Sequence, residues 1–347
     1  MKVLTVGTAT RDVVLGGDFF KVVRDPAHLR KAGFLTGEAQ CFDLGVGGKI
    51  EIQEPVFSLG GGAANAAITF ARQGFPTQAL IKIGKDQNGE EILRTLKEEK
   101  ISPVAVFDKK RGTAYSVILI SPDGERTILN YRGASRDLFL SEIPKKDFKV
   151  DCAYVVPGAI EVLVVAGIVK KLKKNGAIIA MNPSKHYIDL GVKKLKPIFN
   201  NLDVIILNRD EAALLTGVDF KDDRGIFKKF DRLVRGLAVM TDGPKGVMVS
   251  DGKKIYRAGI YKEKKVADRT GAGDSFGSGF LAGLLYKARN MKHETWREDD
   301  IIRGIKLGSA NATSNVEQVG AQTGILTKRE FETQARWKNL KINVENI

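Results

Sequence analysis

Apolar residues in this chain come in two kinds of run, and the two kinds alternate. Short uninterrupted runs read as strands buried on both faces: "KVLTVG" from Lys2, "ALIKIG" from Ala79, "DCAYVVPG" from Asp151, "AIIAMN" from Ala177, "VIILN" from Val204 and "LAVMTDG" from Leu237. Longer stretches with helical spacing lie between them. These are "AANAAITFARQG", closed by Gly74, then "NGEEILRTLKEEK", "EVLVVAGIVKKLKKNG" and "DEAALLTG". Strands alternating with helices predict an α/β protein whose mostly parallel sheet is covered on both faces.

Two segments break the alternation. Residues 13–58 contain "VVLGGDFFKVV" and "GGKIEIQEPVFSL". Residues 103–131 read "PVAVFD", a turn, "TAYSVILI" and "SPDGERTILNY". Asp123-Gly124 between β-rich runs signals a hairpin. Both segments are expected to be antiparallel strands inserted as a lid over a cleft, within a single domain spanning 1–347. There is no internal repeat and no low-complexity linker.

Charge alters the picture little. The 347 residues hold 56 Lys+Arg against 41 Asp+Glu, a net charge of +15. The basic residues are scattered in runs such as "KKLKKN" and "KEKK" beside apolar positions, as on a solvated surface. No reading helix and no aromatic-and-basic platform accompanies them, so a nucleic-acid partner is not expected. A phosphate-rich small ligand would gain from the field. Cys41 and Cys152 lack metal-ligand spacing and read as packing residues of a reducing compartment. The N-terminal apolar run is interrupted too early for a signal peptide, and no stretch reaches the roughly 18–20 apolar residues of a membrane span. The expectation is a cytoplasmic protein without a membrane partner.

The chemistry concentrates in "VADRTGAGDSFGSGFLAG", Val266 to Gly283. Small residues Gly271, Ala272 and Gly273 leave the backbone bare where a helix begins, and Asp274 follows at once. A helix N-terminus offers unpaired N–H groups and partial positive charge, so an anion can approach it directly. A carboxylate beside that anion is placed to take a proton from an attacking hydroxyl. A base and an anion cradle are what phosphoryl transfer needs. A tight turn with Asp274 as a cap is the structural alternative.

Other polar groups fall at strand ends. In "SLGGGAANAA", Asn65 sits in a small apolar run without the dinucleotide-binding spacing. It suits either a polyol ligand or a bond to buried backbone. Asp12 follows the first strand at the edge where open α/β sheets bind ligands, and could take sugar hydroxyls or simply close a turn. Asn208 and Glu211 in "ILNRDEAALLTG" suit a ligand or a helix cap. "TDGPKG", from Thr241 to Gly246, is a further glycine turn after a strand.

Taken together and in order, these stretches resemble the ribokinase family of sugar and nucleoside kinases, also called the PfkB family. "GGGAANAA" resembles its N-terminal signature and "DRTGAGDSFGSGF" its C-terminal one. The resemblance implies a ribokinase-like three-layer αβα sandwich with a small β lid, using ATP and Mg²⁺. It implies Asp274 as catalytic base and Gly271, Ala272 and Gly273 as the anion hole. Asp12, Gly60, Gly61 and Asn65 would hold the sugar. Asn208 would lie near the nucleotide phosphates, Glu211 would organise Mg²⁺ through water, and Thr241, Gly243 and Gly246 would bracket the nucleotide. Asp268 and Thr270, with "GAQ" from Gly320, match a monovalent-cation site, so K⁺ is implied as well.

Gly62 stands where ribokinases proper carry Lys, closer to fructokinase-like members. Arg132 in "LNYRGAS" falls where ketodeoxygluconate kinases carry a carboxylate-reading arginine, or is an exposed strand residue. The expected acceptor is a sugar, with a nucleoside as the alternative. A non-catalytic sugar or nucleotide sensor is the reading from another class. A homodimer through the lid would cover its strand edges.

Overall fold

The structure is a computed structural model that describes residues 1–16, 20–31, 38–42, 49, 51–120, 126–144, 149–286 and 296–347. The chain opens with β1 (Val3–Gly7) and β2 (Thr10–Gly16). A hairpin of β3 (Phe20–Arg24) and β4 (Glu38–Phe42) follows, with α1 (Pro26–Lys31) between its strands, and then β5 (Val56–Gly60). Next come α2 (Gly62–Arg72), β6 (Thr77–Gly84), α3 (Gln87–Glu98), β7 (Ser102–Asp108), β8 (Tyr115–Ile120) and β9 (Arg126–Tyr131). The second half runs β10 (Cys152–Val156), α4 (Val162–Lys174), β11 (Ile178–Met181), α5 (Lys185–Phe199), β12 (Val204–Asn208), α6 (Arg209–Thr216), α7 (Asp223–Leu233), β13 (Leu237–Thr241), β14 (Val247–Ser250) and β15 (Lys254–Ala258). It ends with α8 (Ala272–Leu285), α9 (Glu298–Val316), α10 (Lys328–Thr333) and β16 (Ile342–Asn346).

Among the described residues, ten strands form one sheet in the order β16-β15-β14-β13-β12-β11-β10-β1-β6-β7. It is parallel from β7 to β13 and antiparallel from there to β16. Burial on both faces explains the uninterrupted apolar runs. Along β10, Ala153 and Val155 point into a core with α4, α5, α6 and α7, while Cys152, Tyr154 and Val156 pack against α8 and α9. A third cluster joins Ala63, Ala67 and Ile68 of α2 to Ala79, Ile81 and Ile83 of β6 and to Ile92 and Leu96 of α3.

A second sheet, β5-β2-β8-β9, stands over the carboxyl end of the first. β2 pairs parallel with β8 and antiparallel with β5, and β8 pairs antiparallel with β9. Its base is tied down by Asp86. That carboxylate caps α3 through Gly89 N–H at 2.9 Å and accepts Thr113 N–H at 2.7 Å and Thr113 Oγ1 at 2.6 Å. The small sheet differs from the expected inserts at two points. It starts at Thr10, so Asp12 belongs to it. Ser102–Asp108, grouped by its pattern with the inserted strands, instead pairs parallel with β6 at the edge of the large sheet. An edge strand with one open face alternates as a lid strand does, which is why the pattern misleads. The Asp123-Gly124 turn lies outside the described residues. No helix among the described residues is long and apolar enough to cross a membrane.

Candidate active site

The site forms where α8 begins. Gly271 takes the left-handed conformation, φ 75°, which lets the chain turn into the helix without a side-chain cap. The turn is seated on Ala321, whose Cβ would lie 2.6 Å from any Cβ at 271. Behind the first turn α8 is buried, and its glycines are packing surface. A Cβ at Gly283 would meet Gly304 Cα at 2.7 Å, and one at Gly279 would meet Gly308 Cα at 3.1 Å. The run "FGSGFLAG" therefore lets α9 lie close along α8 and fixes where its N-terminus points. Ala272 N–H makes one long bond, 3.4 Å, to Arg269 O. N–H groups of the first helical turn have no carbonyl four residues earlier to bond.

Asp274 lies in that first turn, half-buried, with Oδ2 accepting from Asn65 Nδ2 at 2.9 Å. Asn65 Oδ1 in turn accepts from Gln322 Nε2 at 2.8 Å. Both ends of the Asn65 amide are thus committed, and this residue orients the carboxylate as well as lining the cleft. Burial raises the Asp274 pKa above its ordinary value. The Asn65 bond opposes that rise, and the nearby negative charge of Asp12 adds to it.

Asp12 faces the same cleft from β2, 5% exposed, and its Oδ1 accepts Thr10 Oγ1 at 2.7 Å. Burial raises its pKa too, with Thr10 and Ser116 hydroxyls opposing. Gly60 does not line the cleft. It pairs with Thr10 across β5 and β2, and a Cβ there would fall 1.9 Å from Asp12 Oδ2. Its lack of a side chain is the room that Asp12 occupies.

Two pockets meet at the α8 N-terminus. One, of about 260 Å³, is lined by Gly61, Asn65, Gly271 and Asp274 from below, by Asp12, Ser116 and Asn130 from the small sheet, and by Arg132 just past β9. The other, of about 380 Å³, is lined by Asn208, Gly243, Gly246, Ala272 and Gly273, with apolar walls from Phe276, Ala312 and Val316. The predicted acceptor and nucleotide residues thus fall on opposite sides of one helix start.

Other predicted residues are placed differently. Thr241 is outside the pocket lining, its Oγ1 set 3.5 Å from Leu207 O. Asn208 and Glu211 form a reciprocal cap on α6: Asn208 Oδ1 accepts Glu211 N–H at 2.8 Å and Glu211 Oε2 accepts Asn208 N–H at 3.0 Å. Asn208 lines the larger pocket, whereas Glu211 stands behind it with a pKa raised by burial. Among the described residues no three His, Cys, Asp or Glu side chains cluster as a metal site. That donor set fits Mg²⁺ only as a hydrated ion carried chiefly by phosphate oxygens.

Asp268 is fully buried, with Oδ1 accepting Thr270 N–H at 2.8 Å and Oδ2 accepting Gly320 N–H at 3.0 Å. Beside it Thr270 Oγ1 and Asn315 Oδ1 are buried oxygens without a hydrogen-bond partner. Orphaned oxygens next to a carboxylate fit a monovalent cation. Arg126 escaped the sequence reading, and Gln322 entered it only within the "GAQ" match to the cation site, not as the partner of Asn65. Gln322 lies 257 residues from Asn65. Arg126, the first residue of β9, lines both pockets.

The pfkB family carbohydrate kinase model matches residues 35–328. A probable fructokinase-5 of Arabidopsis thaliana is 30% identical over 239 residues, covering 65% of this chain and 73% of that protein. A ribokinase of Haemophilus influenzae is 27% identical over 283 residues, covering 79% of this chain and 86% of that protein. Among solved structures, a ribokinase from Giardia lamblia superimposes with a TM-score of 0.77 at 22% identity, covering 95% of this chain and 97% of that one. An adenosine kinase from Sinorhizobium meliloti gives 0.74 at 21%, covering 95% and 98%. The expected three-layer fold and its small sheet are therefore those of the ribokinase group. With most of its length matched and the two signatures meeting at one helix start, this chain is a member of the pfkB family of carbohydrate kinases.

Proposed function

We propose that this kinase transfers the γ-phosphoryl group of ATP to a hydroxyl of a sugar, with Asp274 as general base. One observation carries the reading: Asp274 lines the smaller pocket from the first turn of α8, while Ala272 and Gly273 of the same turn line the larger one. An alcohol is a poor nucleophile near neutral pH. A carboxylate within hydrogen-bond reach takes its proton as the new bond forms, and the rise in pKa that burial causes brings Asp274 closer to that task. Backbone N–H groups of Gly271, Ala272 and Gly273 face the oxygens of the migrating group, where preorganised donors act most strongly.

Asp12, through its free lone pairs, and Asn130 would read acceptor hydroxyls, and Gly61 gives them room. Arg132 suits a carboxylate on the acceptor, as in a sugar acid. On the other side Gly243 and Gly246 bracket the nucleotide and Asn208 approaches its phosphates. Mg²⁺, when bound, neutralises phosphate charge, and Glu211 would steady it through water. Asp268, Thr270 and Asn315 would hold a monovalent cation such as K⁺ beneath the anion hole, tying 268–271 to 320–322. Phe57, Leu129 and Tyr131, each more than half exposed, lie on the face of the small sheet turned away from the cleft and suit a homodimer contact.

A nucleoside acceptor is the second reading, favoured by Ile118 and Ile128, which offer an apolar wall within the acceptor cleft. ADP release measured against sugars, sugar acids and nucleosides decides between them. A sugar or sugar acid is expected to support turnover. Turnover with nucleosides alone would overturn the choice of acceptor, and none with any alcohol would leave only a ligand sensor.

A further inference from the structure

We infer that the amino end of the large sheet holds a second binding site, for an anion that joins a phosphate to a flat ring, the chemistry of a nucleotide. The inference goes beyond the kinase reading and does not depend on it. A cavity of about 510 Å³ opens where β12 and β13 begin, larger than either pocket at the α8 start. It is lined by Asp203 ahead of β12, Arg235 and Gly236 ahead of β13, Asp251 and Lys253 in the β14–β15 turn, and Trp296 just before α9. No lining residue is shared with the pockets of the α8 start. β12 is five residues long and ends at Asn208 in the larger of those pockets. At about 3.3 Å per residue, the two sites lie about 17 Å apart along the strand.

The lining charges are satisfied within the fold except for two. Lys173 Nζ, from the end of α4, meets Asp203 Oδ1 at 2.6 Å and Oδ2 at 2.7 Å, and Ile179 N–H donates to the same carboxylate at 2.8 Å. Asp251 Oδ1 accepts Lys253 N–H at 2.8 Å and Lys254 N–H at 2.6 Å, and its Oδ2 accepts the Tyr256 hydroxyl at 3.2 Å. Arg235 and Lys253 are exposed, and no hydrogen bond, ion pair or ring contact joins either side chain to another described residue. Scattered surface cations are ordinary. Two at one cavity beside an indole are not. Trp296 packs in part against the core under α8 and α9, is half-buried, and also lines the cavity. The floor is main chain, since a Cβ at Gly236 would lie 1.8 Å from Asp203 O.

These side chains define the ligand. A guanidinium grips two phosphate oxygens at once and an ammonium adds a point charge beside it. An indole offers a flat face on which a base stacks. Asn200, at the end of α5, also lines the cavity with an amide that donates and accepts, as a base edge or a ribose requires. The volume lies in the range of ligand pockets, roughly 300–1,000 Å³. A sugar phosphate has no flat face for the indole, and a nucleoside leaves both cations unanswered. An anion with both parts uses all three side chains. Binding involves no covalent step.

The test titrates the full chain with AMP and follows tryptophan emission. The chain has two tryptophans. Trp337 is 2% exposed and packed edge-on against Tyr261, so Trp296→Leu isolates the part of the signal that belongs to the cavity. Saturable quenching is expected in the wild type and its loss in Trp296→Leu. Arg235→Ala combined with Lys253→Ala should weaken AMP binding about tenfold or more, as loss of charge-assisted bonds does. In that double variant kcat and KM for ATP, measured without AMP, should stay within about twofold of wild type, which also shows that it is folded. Ribose 5-phosphate and adenosine, each carrying one half of the ligand, should both bind more weakly than AMP. Ribose 5-phosphate or inorganic phosphate binding as well as AMP would overturn the assigned class. Quenching that persists undiminished in the double variant would put AMP in the catalytic pocket alone and overturn the site. So would the absence of saturable quenching up to about 1 mM AMP.

Discussion

Asp274→Asn separates the catalytic from the structural reading of this carboxylate. The substitution keeps the shape, and its amide oxygen can still accept the bond from Asn65 Nδ2 that the structure places at 2.9 Å. It removes the negative charge and the ability to take a proton. Loss of a general base costs about 10²- to 10⁴-fold in turnover, which at about 1.4 kcal/mol per factor of ten is about 3–6 kcal/mol on the barrier. Stability should move the other way. Burial raises the folded-state pKa of Asp274, so its stabilising share is full at low pH, where both states are protonated, and is lost as pH rises through that pKa.

At pH 7 the ionised group is therefore a burden that Asn relieves. The Tm of Asp274→Asn should equal or exceed that of wild type at pH 7, and the gap should close as pH falls into the carboxylate range. ADP release, ATP binding by titration calorimetry and melting at several pH values give the three readouts. Near-normal turnover would remove Asp274 from the chemistry. A Tm several degrees lower at pH 7 would make it a structural cap.

Other perturbations follow from the same geometry. Asn65→Ala removes the bond that lowers the Asp274 pKa, so the acid limb of the kcat/KM profile should move to higher pH. Asp12→Asn removes a charge that raises it, and should move that limb to lower pH. Limbs that stay put in both would mean that another group titrates. Gly62→Lys would restore the residue that ribokinases carry, but its Cβ meets Val156 Cγ1 at 2.3 Å and Asp274 Oδ1 at 3.3 Å. It should cost about 1–3 kcal/mol in denaturant unfolding, as overpacking does, together with lower turnover; unchanged values for both would show that the turn yields. Gly283→Ala must push α8 off α9 and should cost about 1–3 kcal/mol. An unchanged urea midpoint would refute that close contact.

How much of this could be read in advance depends on where the signal resides. The buried strands and the amphipathic α3 announce themselves because their periodicity is local. α5 does not: Gly191, at φ 75°, and Pro197 interrupt it, and the interrupted pattern no longer scans as a helix. β14 and β15 pass unread, since an antiparallel edge after a parallel sheet leaves no crossover helix to mark it. Asp274 was legible through the bare backbone before it. The bond that aims Asp274 was not, because Asn65 and Gln322 meet only in the folded chain. Gly60, expected at the sugar, lies outside the cleft lining and leaves the space that Asp12 fills, a relation no sequence pattern carries. Arg126 differs in sequence from no other surface arginine, and only the pleat of β9 and the meeting of two cavities single it out.

Asp12, Ser116 and Asn130 stand on the small sheet and Arg132 just past it, while Asp274 and the helix start stand on α8, which packs against the large one. On the proposed reading, recognition and reaction rest on separate pieces of backbone. A mutation at Ser116 or Asn130 would then change the acceptor while leaving the α8 turn and the Asn65–Asp274 bond in place, whereas one at Asp12 would also shift the pKa of Asp274. On that reading, the division tells an engineer which strands to randomise for a new acceptor and which helix to leave alone.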